Sequence, residues 1–190
     1  MKLSHIVFLA AACGAIQGCA PVVVGAAAGG AVMVADDKRT TGTMVDDQTI
    51  ELKVAGAFDD SKKLSDAHIN VTSFNGIVLL SGEVPTPAQR VQAEQLALKV
   101  QKVRRVHNEL TLGPNSSLGS RSKDTWITTK VKSKLFGDKK VSANQIKVVT
   151  EAGTVYLMGL VPHQEADAAV AVVRETDDVK RIVKLFEYTD

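Results

Sequence analysis

The sequence predicts an α+β fold built twice, as two tandem domains that each have the order α-β-β-α-β, with two helices packed on a three-stranded sheet. An apolar motif at 78–85 (VLLSGEVP) recurs 77 residues later at 155–162 (VYLMGLVP). Helical and strand periodicities then follow in the same order in both copies. The segment 113–120 (GPNSSLGS) between them is rich in Gly, Pro and Ser, as linkers are. We therefore place the domains at 43–112 and 121–190.

The composition fits a small folded protein that has no disulfides. Of its 190 residues, 45% are hydrophobic but only 4% are aromatic, so the cores must be built from aliphatic side chains. The two cysteines, Cys13 and Cys19, lie in the first 20 residues, which excludes a disulfide framework in either domain. The formal net charge of +2 gives no indication of a nucleic-acid partner.

The first 18 residues have the pattern of an export signal. Lys2 precedes an apolar stretch at 6–16 that is too short to span a bilayer comfortably. The tetrapeptide Ile16-Gln17-Gly18-Cys19 resembles the bacterial lipobox, in which the cysteine becomes the mature N-terminus and carries the lipid. We expect a signal peptide at 1–18 and lipid attachment at Cys19. An uncleaved anchor or an ordinary signal peptide is the alternative.

Residues 19–42 are expected to form a tether between the lipid and the first domain. The stretch 20–35 is dominated by Ala, Gly and Val, and its glycine spacing does not match a dinucleotide-binding loop. Helix packing at the membrane through small residues is the alternative for this stretch.

Each domain opens with a predicted helix. Asp47 and Asp124 are expected to cap these helices, because Asp is a favoured N-cap residue and apolar residues at helical spacing follow it. The expected buried stripes are Ile50, Val54 and Phe58 (or Ala57) in the first domain, and Ile127, Val131 and Leu135 in the second.

The remaining elements are two strands, a helix and a last strand. The links Asn75-Gly76 and Ala152-Gly153 between β-branched runs indicate hairpins. The expected strands are 69–74, 78–81 and 106–112, then 146–150, 155–158 and 182–188, and the second helices are 88–100 and 165–175. Domains of about 70 residues bury modest cores, so we expect the two copies to pack on each other to some extent.

No catalytic or metal-binding pattern is evident. His68, His107 and His163 are scattered and have no metal-ligand spacing. Adjacent acidic pairs such as Asp59-Asp60 do not converge on a substrate, because neighbouring residues on a helix point apart. We therefore predict no catalytic residue, no cofactor and no metal.

The two first helices carry opposite charge. Residues 46–70 hold six acidic residues against three lysines, a net −3, whereas residues 121–147 hold eight basic residues against two acidic ones, a net +6. At 100° per residue, Trp126 lies off the buried stripe, beside Lys123, Lys130 and Lys134. An indole among lysines suits a membrane interface. From the residues alone, packing of Trp126 on the other copy or at the core rim is equally consistent.

The element order, the Val-x-Leu-x-Gly-x-Val hairpin end and the late Val-(Arg/Lys)-Arg-(Val/Ile) motif resemble the BON domain. A lipobox followed by two such domains is similar to the DolP family of outer-membrane lipoproteins. This resemblance implies a periplasm-facing, lipid-anchored protein of the outer membrane that binds anionic phospholipid, supports envelope integrity and associates with division sites. It also implies a connection with the outer-membrane protein assembly machinery.

The resemblance favours lipid contact for Trp126. We expect Trp126 to be the inserted anchor, Lys123, Lys130 and Lys134 to be the electrostatic part, and Leu135 or Phe136 to give apolar support. The alternative is a structural adaptor that docks onto the assembly machinery, with lipid contact incidental. A hydrolase or metal-dependent enzyme is the third and least supported class. We expect the protein to be a monomer.

Overall fold

The computed structural model describes residues 37–190, so the expected signal peptide, Cys19 and most of the tether lie outside the described residues. The first domain consists of α1 (Thr41–Asp59), β1 (His68–Phe74), β2 (Ile77–Val84), α2 (Pro87–Leu98), β3 (Arg105–Asn108) and β4 (Thr111–Leu112). The second consists of α3 (Leu118–Gly137), β5 (Ile146–Glu151), β6 (Thr154–Val161), α4 (His163–Arg174) and β7 (Arg181–Tyr188). Short 3₁₀ helices at Lys62–Leu64 and Ala143–Gln145 follow α1 and α3.

Both sheets have the same mixed topology. The hairpin strands β1 and β2 pair antiparallel, and β2 then pairs in parallel with β3 and β4. In the second domain β5 and β6 pair antiparallel and β6 pairs in parallel with β7. The expected strand at 106–112 is interrupted in the first domain. The break follows Asn108, whose side-chain amide donates to the Arg90 carbonyl on α2 (2.9 Å).

The first helices begin earlier than the sequence predicts, and the predicted caps are wrong. Helix α1 is capped by Thr40, whose hydroxyl accepts a hydrogen bond from the N–H of Thr43. Helix α3 is capped in the same way by Ser117, which accepts from the N–H of Ser120. Asp47 and Asp124 instead lie within the helices and are buried. They face the hairpin turns, where backbone N–H groups need acceptors. Because α3 starts at Leu118, the linker is shorter than the predicted 113–120.

Each domain has its own core between its helices and one face of its sheet. The predicted stripes are buried: Val54, Ile127 and Val131 are 0% exposed, and Ile50 is 2% exposed. They pack on the inward-facing residues of the central strands, Val78 and Leu80 in β2 and Val155 and Leu157 in β6. The α+β fold class of two helices on a three-stranded sheet is therefore confirmed.

The two sheets pack on each other through their other faces. Side chains alternate across a strand, so the residues between the core positions of the central strands point to the opposite side. These residues form a third apolar cluster that contains Phe74, Ile77 and Leu79 from the first domain and Tyr156, Met158 and Leu185 from the second. Leu79 and Met158 are both 0% exposed. The layers therefore run helices, sheet, sheet, helices.

Candidate membrane-facing surface

Helix α3 presents three large apolar side chains to solvent. Trp126 is 59% exposed, Phe136 is 61% exposed and Leu118 is 79% exposed. Taking about 100° per residue, Trp126 lies about 40° to one side of the outward direction, and Leu118 and Phe136 lie about 40° to the other. The three therefore share the outer face of one helix. Leu118 lies within the predicted linker 113–120, so its place on this face is not expected from the sequence.

Trp126 is a surface residue and belongs to none of the three apolar clusters. It lines a cavity of about 350 Å³ together with Thr129, Lys130 and Thr176 among others. The Lys130 ammonium lies 5.8 Å from the centre of the indole ring, within the range of a cation–π contact. In the structure, Trp126 therefore packs neither on the other domain nor at the rim of the core.

Leu135 does not lie on this surface, and its expected role in lipid contact is wrong. Its side chain is 1% exposed and packs in the core of the second domain with Ile127 and Val131. The spacing of these three residues by four places them on the inward side of α3. A side chain in this position cannot contact lipid while the domain is folded. Phe136, the next residue, points outward.

The three lysines lie along one edge of the apolar face, where the loop that follows α4 contacts them. Lys123 Nζ is 2.7 Å from Asp178 Oδ1, and Lys130 Nζ is 3.9 Å from carboxylate oxygens of both Asp177 and Asp178. The hydrogen bond from Lys123 lowers the pKa of Asp178. Lys134 donates to the Glu175 carbonyl. The amines thus lie beside Trp126 and contact acidic and carbonyl groups of residues 175–178.

The corresponding face of α1 has different chemistry. Thr49 occupies the position of Trp126, and its hydroxyl donates to the Val45 carbonyl (2.8 Å). Val45 and Leu52 are 56% and 75% exposed, but the acidic residues Asp46 and Glu51 are on the same helix. Of the two first helices, α3 alone combines an exposed aromatic ring with an edge of lysines.

The histidines that the structure describes occupy three separate places. His163 stacks on Tyr188, with 3.7 Å between ring centres, and contacts Asp190. His107 is half-buried; burial lowers its pKa, and the charge of Arg105 lowers it further. His68 lies beside Glu83 and Glu151, a juxtaposition that sequence spacing does not reveal. None of the helices in the described range is both long and apolar enough to cross a bilayer.

The BON domain family matches the chain twice, at residues 46–114 and 123–190, which coincide with the two structural domains. The chain is also 43% identical over 196 residues to the outer membrane lipoprotein DolP of Haemophilus influenzae, and this match covers 100% of both chains. This chain belongs to the DolP family of dual-BON lipoproteins. Like that relative it is an outer-membrane lipoprotein, as the lipobox pattern and the domain order predict.

Two further relatives are similar to most of this chain in sequence. The 21 kDa hemolysin of Actinobacillus pleuropneumoniae is 39% identical over 153 residues, which cover 80% of this chain and 79% of the relative. The osmotically-inducible protein Y of Escherichia coli K12 is 32% identical over 144 residues, which cover 74% of this chain and 72% of the relative. Both similarities extend well beyond a single BON domain of about 70 residues.

Proposed function

We propose that this lipoprotein is non-enzymatic, that it binds anionic phospholipid through helix α3 of its second BON domain, and that it supports outer-membrane integrity at division sites. The observation that carries the proposal is the outer face of α3, where Trp126 is 59% exposed and a line of lysines lies beside it. Indole rings favour the headgroup region of a bilayer, and each nearby lysine contributes about 1 kcal/mol of attraction to an anionic surface.

The shape of the α3 face supports an interfacial position. Leu118 and Phe136 are 18 residues apart, or about 27 Å along a helix at 1.5 Å per residue, and Trp126 lies between them. A helix that lies flat on a membrane buries its apolar side chains at the headgroup boundary while cations at its edge meet phosphates. All three apolar side chains reach solvent without any rearrangement of the core.

The test is vesicle binding by the chain that lacks residues 1–18 and carries Cys19→Ser, so that no acyl chain contributes. It should bind vesicles that contain anionic phospholipid and should bind neutral vesicles weakly. Trp126→Glu should reduce binding by roughly tenfold or more, because a carboxylate replaces the indole at the interface. The matched control is Thr49→Glu, at the equivalent position of α1, which should bind as the parent does.

Two outcomes of this experiment would count against the proposal. Trp126→Glu could melt well below the parent, which would make Trp126 part of the core. It could also fold and bind vesicles as the parent does, which would place the lipid surface elsewhere.

A structural adaptor for the outer-membrane protein assembly machinery is the second candidate function. It is favoured by α1, where Leu52 is 75% exposed and Val45 is 56% exposed on a helix that carries net negative charge. Such a face repels anionic lipid and suits a protein surface. Leu52→Glu should then weaken capture of assembly components by the chain and leave vesicle binding unchanged.

A further inference from the structure

Three side chains with metal-binding groups meet at one edge of the interface between the two domains. His68 in β1 and Glu83 in β2 are directly opposite each other in the antiparallel pair. Glu151, the last residue of β5, approaches them from the second domain. One nitrogen of His68 and one oxygen of each carboxylate all lie within 4.8 Å of one another. The grouping exists only when the two sheets are packed together.

The two carboxylates are buried without a compensating cation. Glu83 is 7% exposed and Glu151 is 8% exposed, and neither forms an ion pair with another residue in the range 37–190. Their hydrogen bonds come from neutral groups, the Ser116 N–H for Glu83 and the Asn70 amide and Ser81 hydroxyl for Glu151. Two adjacent buried carboxylates are unfavourable unless a proton or a cation offsets their charge.

The repeat itself does not require this set of residues. The offset of 77 places Gln145, Leu160 and Phe74 at the positions equivalent to His68, Glu83 and Glu151. Phe74 is 4% exposed and packs in the apolar cluster between the sheets, where Leu160 also lies. One copy of this corner therefore has one amide, Gln145, beside two apolar side chains, whereas the other has three ligating groups. Packing between the domains does not explain the difference.

The groups at this corner suit a divalent transition-metal ion. One imidazole and two carboxylates give three protein ligands of the kind that Zn²⁺ accepts, with a fourth position for water. Tetrahedral bonds of about 2.0–2.1 Å would bring the ligand atoms to about 3.3 Å from one another. The ligand atoms lie up to 4.8 Å from one another in this structure, and rotation of the side chains can bring them to the shorter spacing. His68 and Glu151 also line a surface cavity of about 740 Å³, which gives an ion a route from solvent.

We propose that His68, Glu83 and Glu151 form a binding site for one divalent transition-metal ion, with Zn²⁺ as the ion that tests it. Because the ligands come from both domains, the bound ion ties the two sheets together. An ion that binds the folded chain and not the unfolded one raises the melting temperature by mass action. The site is separate from the outer face of α3, so it does not depend on the lipid-binding proposal.

The experiment uses the chain without residues 1–18 and with Cys19→Ser, which removes both cysteines as competing zinc ligands. After dialysis against a chelator, calorimetric titration with Zn²⁺ should show one ion per chain, and saturating zinc should raise the Tm by several degrees. Glu151→Gln and His68→Gln should each weaken binding by more than tenfold and reduce the rise in Tm at the same zinc concentration. His107→Gln and Glu187→Gln, which alter a histidine and an interdomain carboxylate outside the site, should bind zinc as the parent does. Trp126→Glu should also keep zinc binding.

Absence of saturable one-site binding in the parent chain would overturn the proposal, and would mean that a shared proton offsets the charge of the two carboxylates. Unchanged zinc affinity in Glu151→Gln would also overturn it, and would assign the zinc to surface groups such as His163 and Asp190. If Glu151→Gln does not fold, His68→Gln decides the matter. His68 is only partly buried, and zinc-dependent shifts of its imidazole NMR signals in the parent chain provide an independent measurement.

Discussion

The Asp124 carboxylate, inside helix α3, accepts the backbone N–H of Gly153 at 2.8 Å. Its other oxygen accepts the N–H of Ala152 at 2.9 Å. These two turn residues have φ angles of 80° and 49°, the left-handed backbone of a tight hairpin turn, which points both N–H groups toward α3. Asp47 makes the same pair of bonds to the Asn75-Gly76 turn in the first domain. A buried carboxylate thus fixes helix to hairpin in both BON domains.

Asp124→Ala should lower the free energy of unfolding of the second domain by about 2–3 kcal/mol. The substitution leaves two turn N–H groups without their acceptor, one of them buried, and such a loss costs about 1–3 kcal/mol per group. Denaturant unfolding measures the change. Asp177→Ala is the control, because that side chain is 90% exposed and should have little effect. Equal stability of Asp124→Ala and the parent would show that water accepts the hydrogen bonds of the two turn N–H groups in the variant.

The sequence predicts the order of elements but not the groups that act across long distances. Hydrophobic periodicity and the internal repeat are local signals, and they identify the helices, hairpins and buried stripes. Asp124 looks like a helix cap from its neighbours, because its true partners lie 28 and 29 residues away. His68 and Glu151 are in different domains, so only the packing of the two sheets brings them together. The direction of Trp126, away from the buried stripe, was predictable from helical geometry, but its exposure to solvent was not, because packing on the other copy would satisfy the same geometry.

Met158→Ala should destabilise both domains together. Met158 is 0% exposed in the cluster between the sheets, and truncation of a buried Met costs about 2–5 kcal/mol. Because the cluster is shared, calorimetry should show unfolding of both domains moved to lower temperature. Leu52→Ala, a truncation at a side chain that is 75% exposed, is the control and should shift neither domain. A lower unfolding temperature for the second domain alone would mean that the interface contributes little to the stability of the first domain.

Leu135 and Phe136 should have opposite roles despite being adjacent. Leu135→Ala should lower the free energy of unfolding by about 2–5 kcal/mol and leave vesicle binding intact below its melting temperature, since the side chain is 1% exposed. Phe136→Ala should weaken binding to anionic vesicles and leave stability nearly unchanged, since the ring is 61% exposed. Co-sedimentation and thermal melts of both variants make the comparison. The reverse result would mean that α3 is rotated relative to this structure when lipid is bound.

Replacing Lys123, Lys130 and Lys134 by Glu should weaken vesicle binding by about tenfold. Three lysines at about 1 kcal/mol each would give a larger loss of affinity than this. The loss is smaller because Asp177 and Asp178 already offset part of the charge of the lysines. Binding by the parent should fall as salt shortens the Debye length from about 10 Å at 0.1 M, and the variant should show a flatter salt dependence. The control replaces Lys53, Lys62 and Lys63 of the first domain by Glu. A parent chain that binds equally at all salt concentrations would contradict an electrostatic role for these lysines.

Cys19 should be the mature N-terminus and carry the lipid. The tetrapeptide Ile16-Gln17-Gly18-Cys19 ends a short apolar run, as a lipobox does, whereas Cys13 lies within that run. Three acyl chains would hold the protein at the membrane far more firmly than one, because each buried CH₂ contributes about 0.8 kcal/mol. Mass spectrometry of the membrane-extracted protein should find a lipid-modified peptide that begins at Cys19.

Cell fractionation provides the complementary measurement for the lipid anchor. Cys19→Ser should move the protein from the membrane fraction to the soluble periplasmic fraction, because α3 alone provides only salt-sensitive attachment. Cys13→Ser should leave it in the membrane fraction. An unmodified Cys19, or a mature chain that begins at another residue, would refute the assignment of the anchor and leave the α3 surface to be tested without it.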